Sequence, residues 1–362
     1  MNSPEATPRQ TLRIIDASLN RIGEGLRFLE NLARLLLNDA TRTQQLKTMR
    51  HELITSDWPS YQQLLQDRNS EGDIGINIRA PEQENPMELP ALVTANAKRV
   101  QESLRTVEEL AKLPGTVLKL DPRKFQQARF NLYTLEQELL SRLLRRDKTK
   151  HIPGLYVIID TQALQDRNYI EVAGQAIRSG TKTIQLRDKL LNKKELLPIA
   201  QQLRNLCADK GALFIVNNYL DLALATDADG LHLGQKDLPT EVARQLLPID
   251  KILGCSTTSA NQAIAAESGG ADYIAVGSIF PTQSKETAKV IGLEGLRQIR
   301  QAVTLPLVAI GGINKDSITE VMAAGADSVA VIRAVLQAES PEEAARQIAV
   351  KIEARKLDKL IS

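Results

Sequence analysis

Three residues in the segment "GSIFPTQSKETA" (277–288) are suited to holding phosphate: Thr282 and Ser284 carry hydroxyl donors, and Lys285 adds an ammonium. A second group with the same bias is spread over several short apolar runs. "QLRDK" supplies Gln185, Arg187 and Lys189, "FIVNN" supplies Asn217 and Asn218, "GQKD" supplies Asp237, and "CSTT" supplies Ser256. Cations beside a carboxylate and an amide carbonyl suit Mg2+ clamped onto diphosphate oxygens, because Mg2+ takes one or two protein oxygens and leaves the rest to water and substrate. A third signal is Gly311-Gly312 in "AIGGIN", where backbone N–H groups can approach an anion ahead of a helix expected to begin near Lys315. Two phosphate sites facing one cavity imply two substrates, or one long bis-phosphorylated one. There is no GxxxxGK loop and no Ser-His-acid order, and His232 reads as an interior or rim histidine. Nucleophilic catalysis by the protein has no support.

A repeat of strand and helix would bring these residues to one mouth. Eight β-branched runs recur after residue 150: "LYVII" from 155, "TIQLR" from 183, "LFIVN" from 213, "GLHLG" from 230, "KILGC" from 251, "YIAVG" from 273, "PLVAI" from 306 and "SVAVI" from 328. Amphipathic stretches such as "KKELLPIAQQLRNLCADKG" separate most of them, and Gly180, Gly211 and Gly325 stand where helices should stop. Near-continuous apolar strands with helical crossovers predict an α/β fold with a parallel sheet, and eight strands close a (β/α)8 TIM barrel. An open doubly wound sheet competes, but "IIDTQAL" stands where its glycine fingerprint would follow the first strand. In a barrel the active groups follow the strands, and every candidate above does so, as do Ile332 and Arg333 after the eighth run. The residues before the strands read as turn formers and solvating charges.

The chain before residue 150 is helical in pattern and predicts an all-α domain. "LRIIDASLNRIGEGLRFLENLARLLL" puts Ile15, Leu19, Ile22, Leu26, Leu29 and Leu32 on one face. "TANAKRVQESLRTVEELAKL" repeats it at an offset of 78 residues (Ala17 to Ala95), with Arg21/Arg99, Glu24/Glu102, Leu26/Leu104, Arg27/Arg105 and Glu30/Glu108 identical. An internal duplication is expected. The run Arg21, Glu24, Arg27, Glu30 at spacing three reads first as a surface ion-pair ladder. A further helix, "RKFQQARFNLYTLEQELLSRLLRR", is followed by the charged run "RRDKTKH" and Pro153-Gly154, read as a linker. The expected domains are therefore 1–148 and 149–362.

With 46 basic and 44 acidic side chains, net +2, no overall field draws nucleic acid or anionic membrane. The N-terminus lacks an apolar h-region, and no run approaches the length that spans a bilayer, so a cytoplasmic protein acting on small molecules is expected. Cys207 and Cys255 read as core fillers, and Trp58 as core. A homo-oligomer is left open.

The ordered set "QLRDK", "FIVNN", "ADGLHLGQKDLP", "LGCST", "ADYIAVGSIFPTQSK", "AIGGI" and "AGADSVAVIRAV" resembles the thiamin phosphate synthase family across 151–362. The resemblance implies joining 4-amino-5-hydroxymethyl-2-methylpyrimidine diphosphate to a thiazole phosphate, carboxythiazole or hydroxyethylthiazole, with release of pyrophosphate. It implies that Gln185, Arg187, Lys189, Asn217, Ser256 and Lys285 hold the pyrimidine diphosphate, with Arg187, Lys189 and Lys285 stabilising the leaving group. It further implies Asn218 and Asp237 on Mg2+, and Thr282, Ser284, Gly312, Ile332 and Arg333 on the thiazole phosphate. Asn218 departs from the usual Asp, which predicts weaker metal binding; Asp221 is a second candidate ligand that reads first as a solvated helix residue. The N-terminal stretches "RIIDASLNRIGEGLRFLENLAR", "GDIG" (72–75) and "ANAKRVQESLRTVEELAK" resemble a helical extension that implies a pyrimidine-phosphate kinase. A thiazole tautomerase and a non-catalytic thiazole phosphate-binding regulator remain as alternatives on the same barrel.

Overall fold

The computed structural model describes residues 9–54, 58–68, 88–113, 120–282 and 289–361, apart from the side chains of 9, 58–60 and 356–361. Contacts divide the chain into two compact units, Met1–Leu144 and Arg145–Ser362. None of the described helices is long and apolar enough to cross a membrane.

The first unit is helical: α1 (Arg9–Asn31), a π-helical turn (Leu32–Leu36), α2 (Ala40–Ile54), α3 (Trp58–Asp67), α4 (Leu89–Leu110) and α5 (Pro122–Thr149), whose last turns belong to the second unit. The expected apolar stripe of α1 is buried, and α4 buries its counterparts Val93, Ala97, Val100 and Leu104. Gly25 lets the two helices approach, since a methyl there would overlap Val100. α2 and α3 were not singled out in the sequence: α2 buries only Leu46, Met49 and Leu53, a thin signal in a polar segment. The ladder expected on α1 does not form as a surface feature. Glu30 is instead 4% exposed and bonded by Arg50 of α2, and its counterpart Glu108 is 1% exposed and bonded by Arg129 of α5. "GDIG" lies outside the described residues, as does the side chain of Trp58.

The second unit is a closed parallel barrel in strand order: β1 (Gly154–Asp160), β2 (Thr183–Arg187), β3 (Leu213–Asn217), β4 (Gly230–Leu233), β5 (Ile252–Thr257), β6 (Tyr273–Val276), β7 (Leu307–Ile310) and β8 (Ser328–Val331). Around it run α6 (Thr161–Leu164), α7 (Tyr169–Arg178), α8 (Lys193–Lys210), α9 (Leu220–Ala225), α10 (Thr240–Leu246), α11 (Ala260–Ser268), α12 (Gly292–Ala302), α13 (Ile318–Ala323), α14 (Arg333–Leu336) and α15 (Pro341–Ile361). Alternation sends Val157, Ile159, Ile184 and Leu186 outward under the helices, and Tyr156, Ile158, Ile215 and Tyr273 inward. α8 shows why the sequence starts and stops where it does: Asn192 and Glu195 form a capping box, and Gly211 ends the helix at φ 68. Both cysteines are buried, and burial pushes their thiols up to about 12 for Cys207 and about 11 for Cys255.

Two expectations are corrected at the closed end of the barrel. The charges before the strands are not merely solvating: Asp229, Asp272 and Asp327, just ahead of β4, β6 and β8 or opening them, accept from the backbone N–H of Phe214, Leu253 and Leu307 at 3.0, 2.8 and 2.8 Å. Each satisfies a donor at the start of the preceding strand. The run "RRDKTKH" is no loose linker either, because it is helical through Thr149. Within the barrel unit its Arg145 donates to Asp272 at 2.8 Å and to the Ile249 carbonyl, and Lys148 reaches Asp250.

Burial holds the Asp272 carboxyl above its usual range despite Arg145 and lowers Arg244 to about 10. Desolvation thus outweighs the attraction at both groups, and the cluster acts by mutual satisfaction. Asp272→Ala removes the acceptor of Arg145 Nε and of the Leu253 N–H, and should cost about 3–5 kcal/mol, read as a lower urea midpoint for the barrel transition; an unchanged midpoint would contradict this role.

Candidate active site

The open end of the barrel collects the carboxyl ends of all eight strands. Inward parity puts Asp160, Arg187, Asn217 and Ser256 in the upper layer of β1, β2, β3 and β5. Arg187 lies opposite Asp160 in the register, and its Nη1 donates to Asp160 Oδ2. Asp160 also caps α6 by accepting from Ala163 N at 3.1 Å. It therefore fixes the guanidinium from behind. Sequence reading missed Asp160, though a carboxylate closing a strand beside a rim arginine was the available signal. Two positions past Arg187, Lys189 is exposed on a loop that Asp188 bends by accepting from Leu190 N and Leu191 N at 2.8 and 2.6 Å.

Below this layer a chain of hydrogen bonds crosses the barrel. Gln185 Nε2 donates to Tyr156 Oη at 2.8 Å; Tyr156 and Tyr273 hydroxyls meet at 3.0 Å; Tyr273 Oη lies 3.0 Å from His232 Nδ1; and His232 Nε2 lies 2.9 Å from Ser256 Oγ. Gly254 makes room for it, since a side chain there would overlap the Tyr273 ring. With Gln185 Nε2 as donor, only one proton order leaves no buried hydroxyl unmatched. Tyr156 donates to Tyr273, Tyr273 to His232 Nδ1, and His232 Nε2–H to Ser256, whose own O–H is left to point elsewhere. Burial lowers the His232 pKa to about 4, so the ring is neutral at ordinary pH. The tyrosines were missed because each reads as a core aromatic.

Asn218 and Asp237 follow adjacent strands. Asn218 stands at φ 66, a left-handed conformation that Asn tolerates, with its N–H donating to the His232 carbonyl at 2.8 Å. Asp237 Oδ2 accepts from Gly234 N at 2.6 Å, which leaves Oδ1 available. Among the described residues no cluster of three or more His, Cys, Asp or Glu could hold a metal. One carboxylate oxygen and one amide carbonyl fit a cation that draws its other oxygens from water and phosphate, as Mg2+ does. Asp221 is a poorer donor: Lys193 Nζ holds it at 2.7 Å, and that bond lowers its pKa.

On the other arc the loops after β6 and β7 pack backbone against backbone. Ile279 N and Phe280 N donate to the carbonyls of Ile310 and Gly311 at 2.9 and 3.0 Å. Gly311 and Gly312 stand at φ 104 and 66, and any Cβ there would strike Ser278 or Phe280-Pro281. The pair is thus required for loop packing as well as for an exposed backbone. The helix beyond begins at Ile318, later than the expected Lys315, after a turn that Asn314 holds by accepting from Asp316 N and Ser317 N. Thr282 is half-buried on this arc, Ile332 packs against the interior cluster, and Arg333 opens α14 half-buried. Ser284 and Lys285 lie outside the described residues.

Residues 155–335, β1 through α14, match the family model described as thiamine monophosphate synthase, and residues 13–138 match that of the ThiD2 family. The thiamine-phosphate synthase of Thermosynechococcus vestitus is 37% identical over 346 residues, covering 96% of this chain and 96% of its own. That of a Nostoc species is 38% identical over 333 residues, covering 91% and 90%. Among solved structures, thiamine phosphate pyrophosphorylase from Pyrococcus furiosus is 42% identical, with a TM-score of 0.53, over 57% of this chain and 98% of its own. With relatives this similar along nearly their whole length and a barrel matched from its first strand to its last, the chain belongs to the thiamine-phosphate synthase family.

Proposed function

We propose that the barrel joins 4-amino-5-hydroxymethyl-2-methylpyrimidine diphosphate to a thiazole phosphate, carboxythiazole or hydroxyethylthiazole, yielding thiamin phosphate and pyrophosphate in the cytoplasm. The observation that carries this reading is a rim rich in anion-binding groups whose only described histidine is neutral and engaged at both ring nitrogens. Such a site is suited to removing an anionic leaving group, and ill suited to abstracting a proton.

In that reaction the pyrimidine CH2–O bond breaks with its electron pair remaining on the diphosphate, and the thiazole nitrogen lone pair forms the new C–N bond; with the carboxythiazole, the ring carboxylate also leaves as CO2 and a solvent proton takes its place on carbon. No proton has to leave for the bond to form. The chain's task is to bind charge and align two reactants. Arg187, oriented by Asp160, receives the diphosphate together with Lys189, Lys285, Asn217 and the outward O–H of Ser256. Gln185 is held against the ring by the interior chain. Thr282, Ser284, the Gly312 N–H, Ile332 and Arg333 hold the thiazole phosphate, so the β6 loop reaches both substrates. Asn218 and Asp237 would hold Mg2+, which when bound neutralises diphosphate oxygens. The full diphosphate arc disfavours the tautomerase and regulator alternatives, neither of which needs it.

We infer in addition that the helical region, expected over 1–148, phosphorylates the pyrimidine monophosphate with ATP, so that one chain makes the diphosphate and consumes it. The match to the ThiD2 family supports this.

Lys285→Ala should lower turnover by about 10²-fold or more; a near-normal rate would reject its role on the leaving group. Tyr273→Phe leaves Tyr156 and His232 unmatched in the interior and should cost about 1–3 kcal/mol of stability, with kcat/KM down about tenfold; a stable, fully active variant would show that the interior chain orients nothing. Asn218→Asp fits the same backbone and adds a charge worth about 1 kcal/mol, so half-maximal activity should come at about fivefold lower Mg2+. A titration that stays put or moves to higher Mg2+ would remove Asn218 from the metal.

A further inference from the structure

The helical unit has a polar groove of its own, with a volume of about 1210 Å3, lined by α1, α4 and Arg68. Arg21, Glu24, Arg99 and Glu102 all face it. These are the duplicated pairs, so two copies of one ancestral unit contribute the same two residue types to one groove.

The duplication extends further than the two long helices. Leu46, Met49, Arg50 and Leu53 of α2 correspond to Phe125, Ala128, Arg129 and Leu132 of α5 at an offset of 79, and the apolar members are buried in both. The buried pairs Glu30–Arg50 and Glu108–Arg129, both 3.1 Å, are therefore one interaction made twice. Of the Arg/Glu series, Glu30 and Glu108 are thus structural in each copy. The groove-facing members are different. Arg21, Glu24, Arg99 and Glu102 are all exposed, and none of their side chains makes an ion pair or hydrogen bond among the described residues, although spacing of three on a helix permits one. Neighbours on the same helices have diverged between the copies at Asn20/Lys98 and Asn31/Glu109, while the exposed pair Arg27/Arg105 outside the groove is retained. Solvation alone does not require these two types to persist in both.

We infer that this groove binds a phosphorylated small molecule that carries amino nitrogens, with Arg21 and Arg99 on the phosphate and Glu24 and Glu102 accepting the N–H groups. Guanidinium forks match phosphate oxygens bidentately, and carboxylates are acceptors only, so the quartet selects a ligand with both features. The groove floor adds the buried Ser18 and Ser103. Asp16 there is already matched, since Arg68 donates to both its oxygens at 2.7 Å. The groove's framework is firm, because Gly25 seats α1 against α4 within one turn of the quartet. The choice of an aminopyrimidine monophosphate as ligand rests on the kinase reading above.

The test is calorimetric titration of 4-amino-5-hydroxymethyl-2-methylpyrimidine phosphate into the full chain carrying Arg187→Ala, which weakens the barrel's own anion site. Adding Arg21→Ala and Arg99→Ala together should weaken the remaining binding at least tenfold, and the corresponding Lys pair should restore part of it. In a chain with an intact barrel, the same two Ala substitutions should leave condensation from supplied diphosphate unchanged. Unaltered affinity in the doubly substituted protein, or no binding before substitution, overturns the site, even if the chain phosphorylates the pyrimidine. Lost affinity in a chain that shows no ATP-dependent phosphorylation upholds the site and removes the kinase reading alone.

Discussion

Closure of eight parallel strands is the constraint on which the second unit depends. A strand alternates its side chains, so a closed barrel gives each strand one inward residue in every two and brings the ends of all eight to a common mouth. Asp160 and Arg187 meet because β1 and β2 are in register, and Ser256 reaches His232 because β4 and β5 are neighbours. A slip of one residue in β2 would send Gln185 and Arg187 under the helices and bring Leu186 inside. The apolar runs therefore position the polar residues as much as they fill the core.

The interior departs from a purely apolar plug. Two tyrosines, a glutamine and a histidine occupy space that branched aliphatics could fill, and each polar atom named in the chain is matched to the next. Such a network is costly when incomplete and directional when complete. Its direction gives it a use, because the last hydroxyl in the series, Ser256, has its acceptor side occupied and its donor side open. Burial that keeps His232 neutral supports the same order, since a protonated ring would donate from both nitrogens.

Much of this was legible in the sequence because strands and rim residues carry short-range signals. "TIQLR" and "LFIVN" coincide with β2 and β3, and Gly180, Gly211 and Gly325 stand at φ 98, 68 and 109. What was not legible depends on partners distant in the chain. Asp160 becomes meaningful only beside Arg187, Tyr156 beside Tyr273 117 residues away, and Asp272 beside Arg145 at a separation of 127. Glu30 reads as a ladder residue from its own helix, but its partner Arg50 lies on the next one. The repeated "AD" before β4, β6 and β8 was a visible pattern, and its purpose, holding the N–H of the preceding strand, required the fold.

In the proposed reading both units set arginine and carboxylate against phosphate while using different scaffolds, one closing a barrel and one crossing two helices of similar sequence. The barrel's claim is the more concrete, because every group assigned to it serves departure of one anion and entry of one neutral nitrogen. The most direct measurement is pyrophosphate release when the pyrimidine diphosphate, a thiazole phosphate and Mg2+ are mixed with the full chain. One pyrophosphate formed for each thiamin phosphate, with both organic substrates required, is the predicted result. Binding of the thiazole phosphate with no pyrophosphate or thiamin phosphate formed would contradict it.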